Sequence, residues 1–229
     1  MIKLRKLTDH VYFLPPDNVK DRPMLGYVLG ENIALAVDGG FSPDQVDGFY
    51  DELEANGLKE PDYTVLTHWH WDHTLGLGAV SGQVICEERT DELIQEENER
   101  LRDPEYEKQL RRFYSFVDDE FQNVPVPQIR QAEILFSEKQ EMDLGGVTAR
   151  MFHCEAPHTP DTTLIYIPED KVLFLGDAPL GDFSNGGFTD RKKLAALLET
   201  IRTLDCLYVL NGHSGLTRKE DLLNALQAW

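Results

Sequence analysis

Long apolar runs are missing from this chain of 229 residues. Nothing approaches the ~20 consecutive apolar residues of a membrane-spanning helix, and the opening MIKLRKLTDHVYF holds no apolar stretch of signal-peptide length. Cysteine is scarce as well. Cys86, Cys154 and Cys206 are scattered, odd in number and outside any C-x-x-C pair, which argues against a disulfide framework and points to reduced thiols in a cytoplasm. Positive charge is short: 22 Lys and Arg stand against 41 Asp and Glu, for a net −19. Such a field repels polyanions, so neither nucleic acid nor an anionic membrane is an expected partner. Bound divalent cations would reverse the sign locally and keep small anionic substrates open. No low-complexity linker interrupts the sequence, so one domain over residues 1–229 is expected.

What is present alternates short apolar runs with turn signals. HVYFL, MLGYVLG and IALAVDGG read as antiparallel strands, with a tight hairpin near ENIA. A helix follows over SPDQVDGFYDELEANG, capped by Ser42, opened by Pro43 and stopped at Gly57. DYTVLTH and QVICE read as strands, with a short helix at LGLGAV between them. Residues 87–123 are rich in charge and poor in glycine, with Tyr106, Leu110, Phe113, Val117 and Phe121 at helical spacing. The pattern predicts two helices broken at Asp103-Pro104. They form either a solvated pair lying on the core, or a lid or homodimer surface built on that stripe. Strands resume at EILF, QEMDL, VTARMFHC, TTLIYIP and KVLFLGD. The helix TDRKKLAALLETIRTL leads into the strand CLYVL, and a last helix over TRKEDLLNALQAW starts with a Thr217–Glu220 capping box. Interleaved strands and helices in both halves predict an α/β sandwich.

Several strand runs end in a residue able to bind metal. ALAV ends at Asp38, TVLT at His68, VLFLG at Asp177 and LYVLNG at His213, while ARMFHCEAP leads to His158. Strand ends followed by loops are where α/β architectures carry chemistry. The densest cluster is THWHWDHT at residues 67–74. His68 and His70 are two apart and point the same way in an extended segment, and Asp72 and His73 follow as the chain turns. Imidazole and carboxylate suit Zn(II), Fe(II) and Mn(II), and no thiolate accompanies them. Four neighbouring side chains cannot wrap one ion. His68 and His70 therefore belong to one metal and Asp72 and His73 to a second, with His158, Asp177 and His213 as candidates to complete both.

With these residues in view, the chain resembles the metallo-β-lactamase fold hydrolases. Their motif H-x-H-x-D-H stands here as His68-Trp69-His70-Trp71-Asp72-His73. The family's later histidine resembles His158, its bridging aspartate Asp177, and its final Gly-His Gly212-His213. The aspartate that the family keeps behind its ligands resembles Asp38. The resemblance implies an α/β (α+β) fold, a four-layer αβ/βα sandwich with a helical insertion near 87–123. It also implies a dinuclear centre, with His68, His70 and His158 on one ion, Asp72, His73 and His213 on the other, and Asp177 bridging. Zn(II) is the expected metal, with Fe and Mn as alternatives. Penicillin-destroying zinc enzymes mostly carry cysteine, or no acidic bridge, where Asp177 stands, so an antibiotic-resistance role is not expected. With few residues after His213, the glutathione-binding helical domain of glyoxalase II is not expected either. Asp161 stands where many members have glycine after His-Thr-Pro.

The expected activity is metal-dependent hydrolysis of a small ester, lactone or thioester by a bridging hydroxide. Asp72 serves as both ligand and proton-handling group. A small-molecule phosphodiesterase and a non-haem iron oxidoreductase are the rival readings. Flavin-partnered diiron members tend to have Glu where His70 stands, which favours hydrolysis. His10 reads as a surface residue and His153 as a strand side chain. Trp69 and Trp71 alternate with the ligands and are expected to pack beneath them. The loop at residues 15–24 reads as a flap, and SNGG at 184–187 as a plain turn.

Overall fold

A computed structural model describes residues 2–122 and 124–227. The first sheet is laid down in strict chain order. Strands β1 (Arg5–Lys6), β2 (Val11–Leu14), β3 (Leu25–Leu29) and β4 (Ala34–Val37) pair antiparallel. After helix α1 (Pro43–Ala55) come β5 (Tyr63–Val65), the short α2 (Trp71–Thr74) and β6 (Gln83–Glu87). Helices α3 (Glu88–Leu101), α4 (Pro104–Phe113) and α5 (Ser115–Glu120) precede β7 (Ile134–Phe136). From β4 onward these strands run parallel, completing seven in the order β1 to β7. The second sheet has six strands. They are β8 (Lys139–Asp143), β9 (Thr148–His153), β10 (Thr163–Ile167), β11 (Val172–Gly176), β12 (Tyr208–Asn211) and β13 (Gly215–Arg218). Helix α6 (Arg191–Thr203) crosses between β11 and β12, the parallel pair of that sheet, and α7 (Lys219–Gln227) follows β13.

Burial explains the layering. Val11, Phe13, Val28, Val37, Val65 and Ile85 of the first sheet meet Met151, Ile165, Ile167, Phe174 and Leu210 of the second in one apolar layer. On its outer face the first sheet packs Phe49 and Leu53 of α1; the second packs Leu194, Leu197, Leu198 and Ile201 of α6. Strands β10 and β11, covered on both sides, are buried at every position, as unbroken apolar runs require. Helix, sheet, sheet and helix stack as expected, and the predicted sandwich is the observed one.

Local differences have identifiable causes. The insertion contains three helices rather than two, because the chain leaves helical geometry a second time at Tyr114 (φ −124°, ψ 90°). Its last expected residue, Asn123, lies outside the described residues. The apolar stripe turns inward at Leu110, Val117 and Phe121, packing beside Phe41 and Trp71; Phe113 is left outside, 73% exposed. The Thr217–Glu220 capping box does not form. Thr217 pairs with Val209 inside β13, and α7 begins at Lys219; sheet pairing overrides the local signal. Ala228 and Trp229, the expected end of that helix, lie outside the described residues. Ser42 caps α1 as predicted, accepting from the Gln45 N–H, with Pro43 in the first turn.

Phe174 lies fully buried between the sheets, its ring so close to Gly26 that any side chain there would collide with it. Phe174→Ala should cost about 3–5 kcal/mol by opening a cavity in that layer. Denaturant unfolding checks it, and a loss under about 1 kcal/mol would show that the layer collapses around the missing ring.

Candidate metal centre

Both sheets end their central strands at the same edge. From the first sheet, β4 delivers Asp38, and the chain leaving β5 delivers His68 and His70. The backbone at His70 is extended (φ −54°, ψ 152°), and α2 then turns Asp72 and His73 inward. From the second sheet come His158 after β9, Asp177 after β11 and His213 after β12. The approach is tight. A Cβ on Gly212 would collide with Asp177 Oδ1, and one on Gly176, already at φ 51°, with Thr67 Oγ1.

All seven predicted ligands converge, in two groups. His68, His70 and His158 form one; Asp72, His73, Asp177 and His213 form the other. Within each, the donor atoms lie within 4.8 Å of one another. His70 Nδ1 is 2.9 Å from His158 Nε2, and His213 Nε2 is 2.9 Å from Asp72 Oδ2. Asp177 Oδ2 lies 3.2 Å from His213 Nε2, 3.7 Å from His73 Nε2 and 3.8 Å from His158 Nε2. His68 Nε2, His73 Nε2 and Asp177 Oδ1 are buried with no hydrogen-bond partner. Native proteins rarely leave such atoms unsatisfied. Three orphaned donor atoms of metal-ligating type in one place fit a site for divalent ions.

The opposite side of three of these rings, His73, His68 and His158, is held by the protein. Asp38, itself at φ 68°, accepts from the Thr67 N–H and Oγ1–H and lies 2.8 Å from His73 Nδ1. Thr67 Oγ1 also sits 3.0 Å from His68 Nδ1, and the Gly181 carbonyl lies 2.9 Å from His158 Nδ1. Such partners fix the ring tautomer and leave the other nitrogen free for metal.

The two groups differ in charge. Burial drives the His70 pKa down, and repulsion from His158 adds to it, to about 3. His68 is pushed well below the ordinary range by burial and by His73 and His70. In the second group burial opposes ionisation, but the charges overcome it. Asp72 and Asp38 raise His73 well above the ordinary value, and Asp177 and Asp72 raise His213 to about 10. His73 and His213 in turn hold Asp72 and Asp177 below the usual carboxylate range, against their burial. His68 and His70 present neutral imidazoles; the second group is a network of ion pairs whose histidines must release protons to bind metal.

The model of the Metallo-beta-lactamase superfamily matches residues 26–213, a span that includes every one of these ligands. The chain belongs to that superfamily. "Beta-lactamase-like protein 2 homolog" of Caenorhabditis elegans is 25% identical over 158 residues, 69% of this chain but 44% of its own length. The chain thus matches less than half of that relative. A metallo-beta-lactamase from Pontibacter korlensis superposes over 100% of both chains, with a TM-score of 0.71 at 18% identity. The stereoselective inverting sec-alkylsulfatase of a Pseudomonas species superposes on 99% of this chain and 40% of its own, with a TM-score of 0.73 at 14% identity. At these identities the two structures establish the superfamily fold alone.

Several supporting groups escaped the superfamily motif. Asp161, the departure from glycine, is fully buried and accepts from the Trp69 N–H at 2.9 Å and from Thr159 Oγ1. It ties the His158 loop to the middle of the histidine motif. Glu97 of α3, only 1% exposed, accepts from Trp71 Nε1 and from the Tyr106 hydroxyl. Its position was a readable signal: with Ile94, Asn98 and Leu101 it falls on the buried face of α3. Asp21 brings the 15–24 loop to the centre, 3.9 Å from His213 Nδ1. Trp71 packs into the core and Trp69 packs against it as expected, but both also line a cavity, which the alternation did not predict. His10 pairs with Asp170 away from the centre, His153 remains a strand residue, and residues 184–187 form a turn with Gly186 and Gly187 at positive φ.

Opposed histidine shifts predict a stability optimum for the metal-free protein. His70 must stay neutral when folded, so stability falls as pH drops from 6.5 toward about 3. His213 contributes stability present below 6.5 and lost as pH rises through about 10. Melting of chelator-treated protein should peak near pH 6.5, and His213→Ala should flatten the alkaline limb. An unchanged alkaline limb in that variant would remove the ion-pair assignment.

Proposed function

We propose that this chain is a hydrolase acting through two divalent ions on a small-molecule ester, lactone or thioester. The observation carrying this reading is the place of Asp177. One oxygen faces histidines of both groups, the other is buried without a partner, and two-metal sites commonly share a carboxylate between ions roughly 3.5–4 Å apart. On this reading His68, His70 and His158 would hold one ion and Asp72, His73 and His213 the second, with Asp177 available to both. Zn(II) suits the nitrogen-rich first group best, with Fe and Mn as alternatives. When bound, the pair supplies Lewis acidity and lowers the pKa of a shared water toward neutrality.

The protein's own groups supply orientation and proton handling. Asp72 is 15% exposed at its side chain and faces His213, so it can accept the proton of an attacking water and pass it to the leaving group. Asp38 keeps His73 fixed behind it. The superfamily's hydrolytic character supports this class, and the likeness to an alkylsulfatase adds sulfate esters to the compounds worth screening. Small phosphodiesters are the second choice. Cys86, Cys154 and Cys206, all free and buried, support a cytoplasmic setting.

Protein purified without added metal should carry about two ions per chain; clearly fewer than one would sink the dinuclear reading. Asp177→Ala should lower that content and cut hydrolysis by more than about 100-fold, beyond what outer partners of ligands usually contribute. Asp38→Ala should cost about 10- to 100-fold in activity or metal affinity while leaving the fold intact. Metal analysis of the purified proteins checks the content, and a screen of lactones, thioesters, carboxylic, phosphate and sulfate esters with Zn(II), Mn(II) and Fe(II) forms checks the activity losses; full activity of Asp177→Ala would overturn the bridging role.

A further inference from the structure

Beside His70 the insertion encloses a cavity of about 290 Å³, close to the lower end of the ~300–1,000 Å³ range of ligand sites. Trp69, Trp71, Tyr106, Phe113, Tyr114 and Phe183 form its walls. The rings are arranged edge to face or tilted. Trp71 lies 5.1 Å from Tyr114, Tyr114 lies 5.1 Å from Phe183, and Phe183 meets His70 at 6.2 Å. A second cavity, of about 330 Å³, shares Trp69, His70, Arg100 and Ser184 with the first and continues to His158. His70 therefore borders the aromatic chamber, and His158 borders the cavity that adjoins it.

Two features mark the chamber as unfinished. Phe113 and Phe183 are 73% and 41% exposed, although they come from separate segments and border one cavity. Folding alone gives no reason to bring exposed aromatic rings together at the edge of a metal centre. The wall behind them is rigid by contrast, since buried Glu97 holds both the Trp71 indole and the Tyr106 hydroxyl. Charge offers little selectivity. Arg100 is 3.6 Å from Glu97, and Glu96 and Asp182 line the adjoining cavity, so the side chains of the walls leave no unpaired positive charge to hold an anion inside the chamber.

We propose that this chamber binds an uncharged aryl group of the substrate, placing the bond to be cleaved beside His70 and His158. The proposal rests on the hydrolytic reading for the word substrate and on the chamber alone for the binding of the ring. Flat rings can stack edge-on or offset against these walls, a gain a saturated ring of the same carbon skeleton cannot match.

The test separates the two claims. Calorimetric titration with the unreactive 2-naphthalenemethanol and its decahydro analogue reads binding without turnover. The aromatic alcohol should bind about tenfold tighter. Phe113→Ala and Phe183→Ala should each weaken it about 3- to 10-fold, while Leu207→Ala, on a distant exposed site, should not. Equal affinity for the two alcohols, or an unchanged affinity in the Phe113→Ala/Phe183→Ala double variant, would overturn the chamber. Glu97→Gln keeps an acceptor for Trp71 and should retain the preference, whereas Glu97→Ala should lose it. Naphthyl esters should then show lower KM than decahydronaphthyl esters, and equal KM would overturn the substrate claim. Phenylalanine-dependent binding with no hydrolysis of any ester would leave the chamber standing and remove the hydrolytic reading.

Discussion

The centre depends on keeping a carboxylate, Asp177, almost wholly out of water at the seam between two sheets. A buried charge is tolerable only when charges or hydrogen-bond donors surround it. His73 from one sheet and His213 from the other supply them. Those partners exist only if the strands carrying them end at the same edge, which is what the parallel pairs β4–β5 and β11–β12 arrange. Close approach is part of the same constraint: Gly212 and Gly176 have no side chain because Asp177 and Thr67 fill that space. The geometry that gathers these His and Asp side chains is thus inseparable from the geometry that joins the halves of the sandwich.

Much of this was legible because the ligands lie where periodicity breaks. Each apolar strand run is a readable object, and a His or Asp at its end stands out against it. The order His68 through His213 needed no knowledge of pairing. Less legible was everything that depends on which surfaces meet. Asp161 looked like a mere replacement of glycine, and its bond to Trp69 is visible only once the two loops are adjacent. Thr217 followed by Glu220 carried a sound helix signal, yet its neighbour in space was Val209 and the strand won. Tyr114 has no proline or glycine to announce the second break in the insertion; tertiary packing around Phe116, Val117 and Phe121 sets it.

The insertion both adds to the core and borders the candidate centre. Its stripe of Leu110, Val117 and Phe121 follows the ordinary logic of an amphipathic helix and is buried accordingly. Glu97 breaks that logic. A carboxylate on an apolar face costs desolvation unless donors meet it, and the donors it meets are Trp71 and Tyr106. Trp71 stands between His70 and Asp72, so the insertion is fastened to the histidine motif at its centre. Arg22 of the 15–24 loop and Ser42 make a similar fastening to Glu120 at the end of α5.

These attachments separate the residues of the candidate metal centre from the walls around it. The ligands come from the sheet edges, whereas the aromatic walls come largely from α4 and from the loop carrying Phe183. Substitutions at Phe113 or Phe183 alter neither a strand nor a ligand. Glu97 and Asp161 lie between the two regimes, because each holds a backbone or ring next to a ligand while belonging to the surrounding loops and helices. The outer rings can therefore be altered without touching the charge balance around Asp177, and the two fastening carboxylates, Glu97 and Asp161, stand at the boundary between the two.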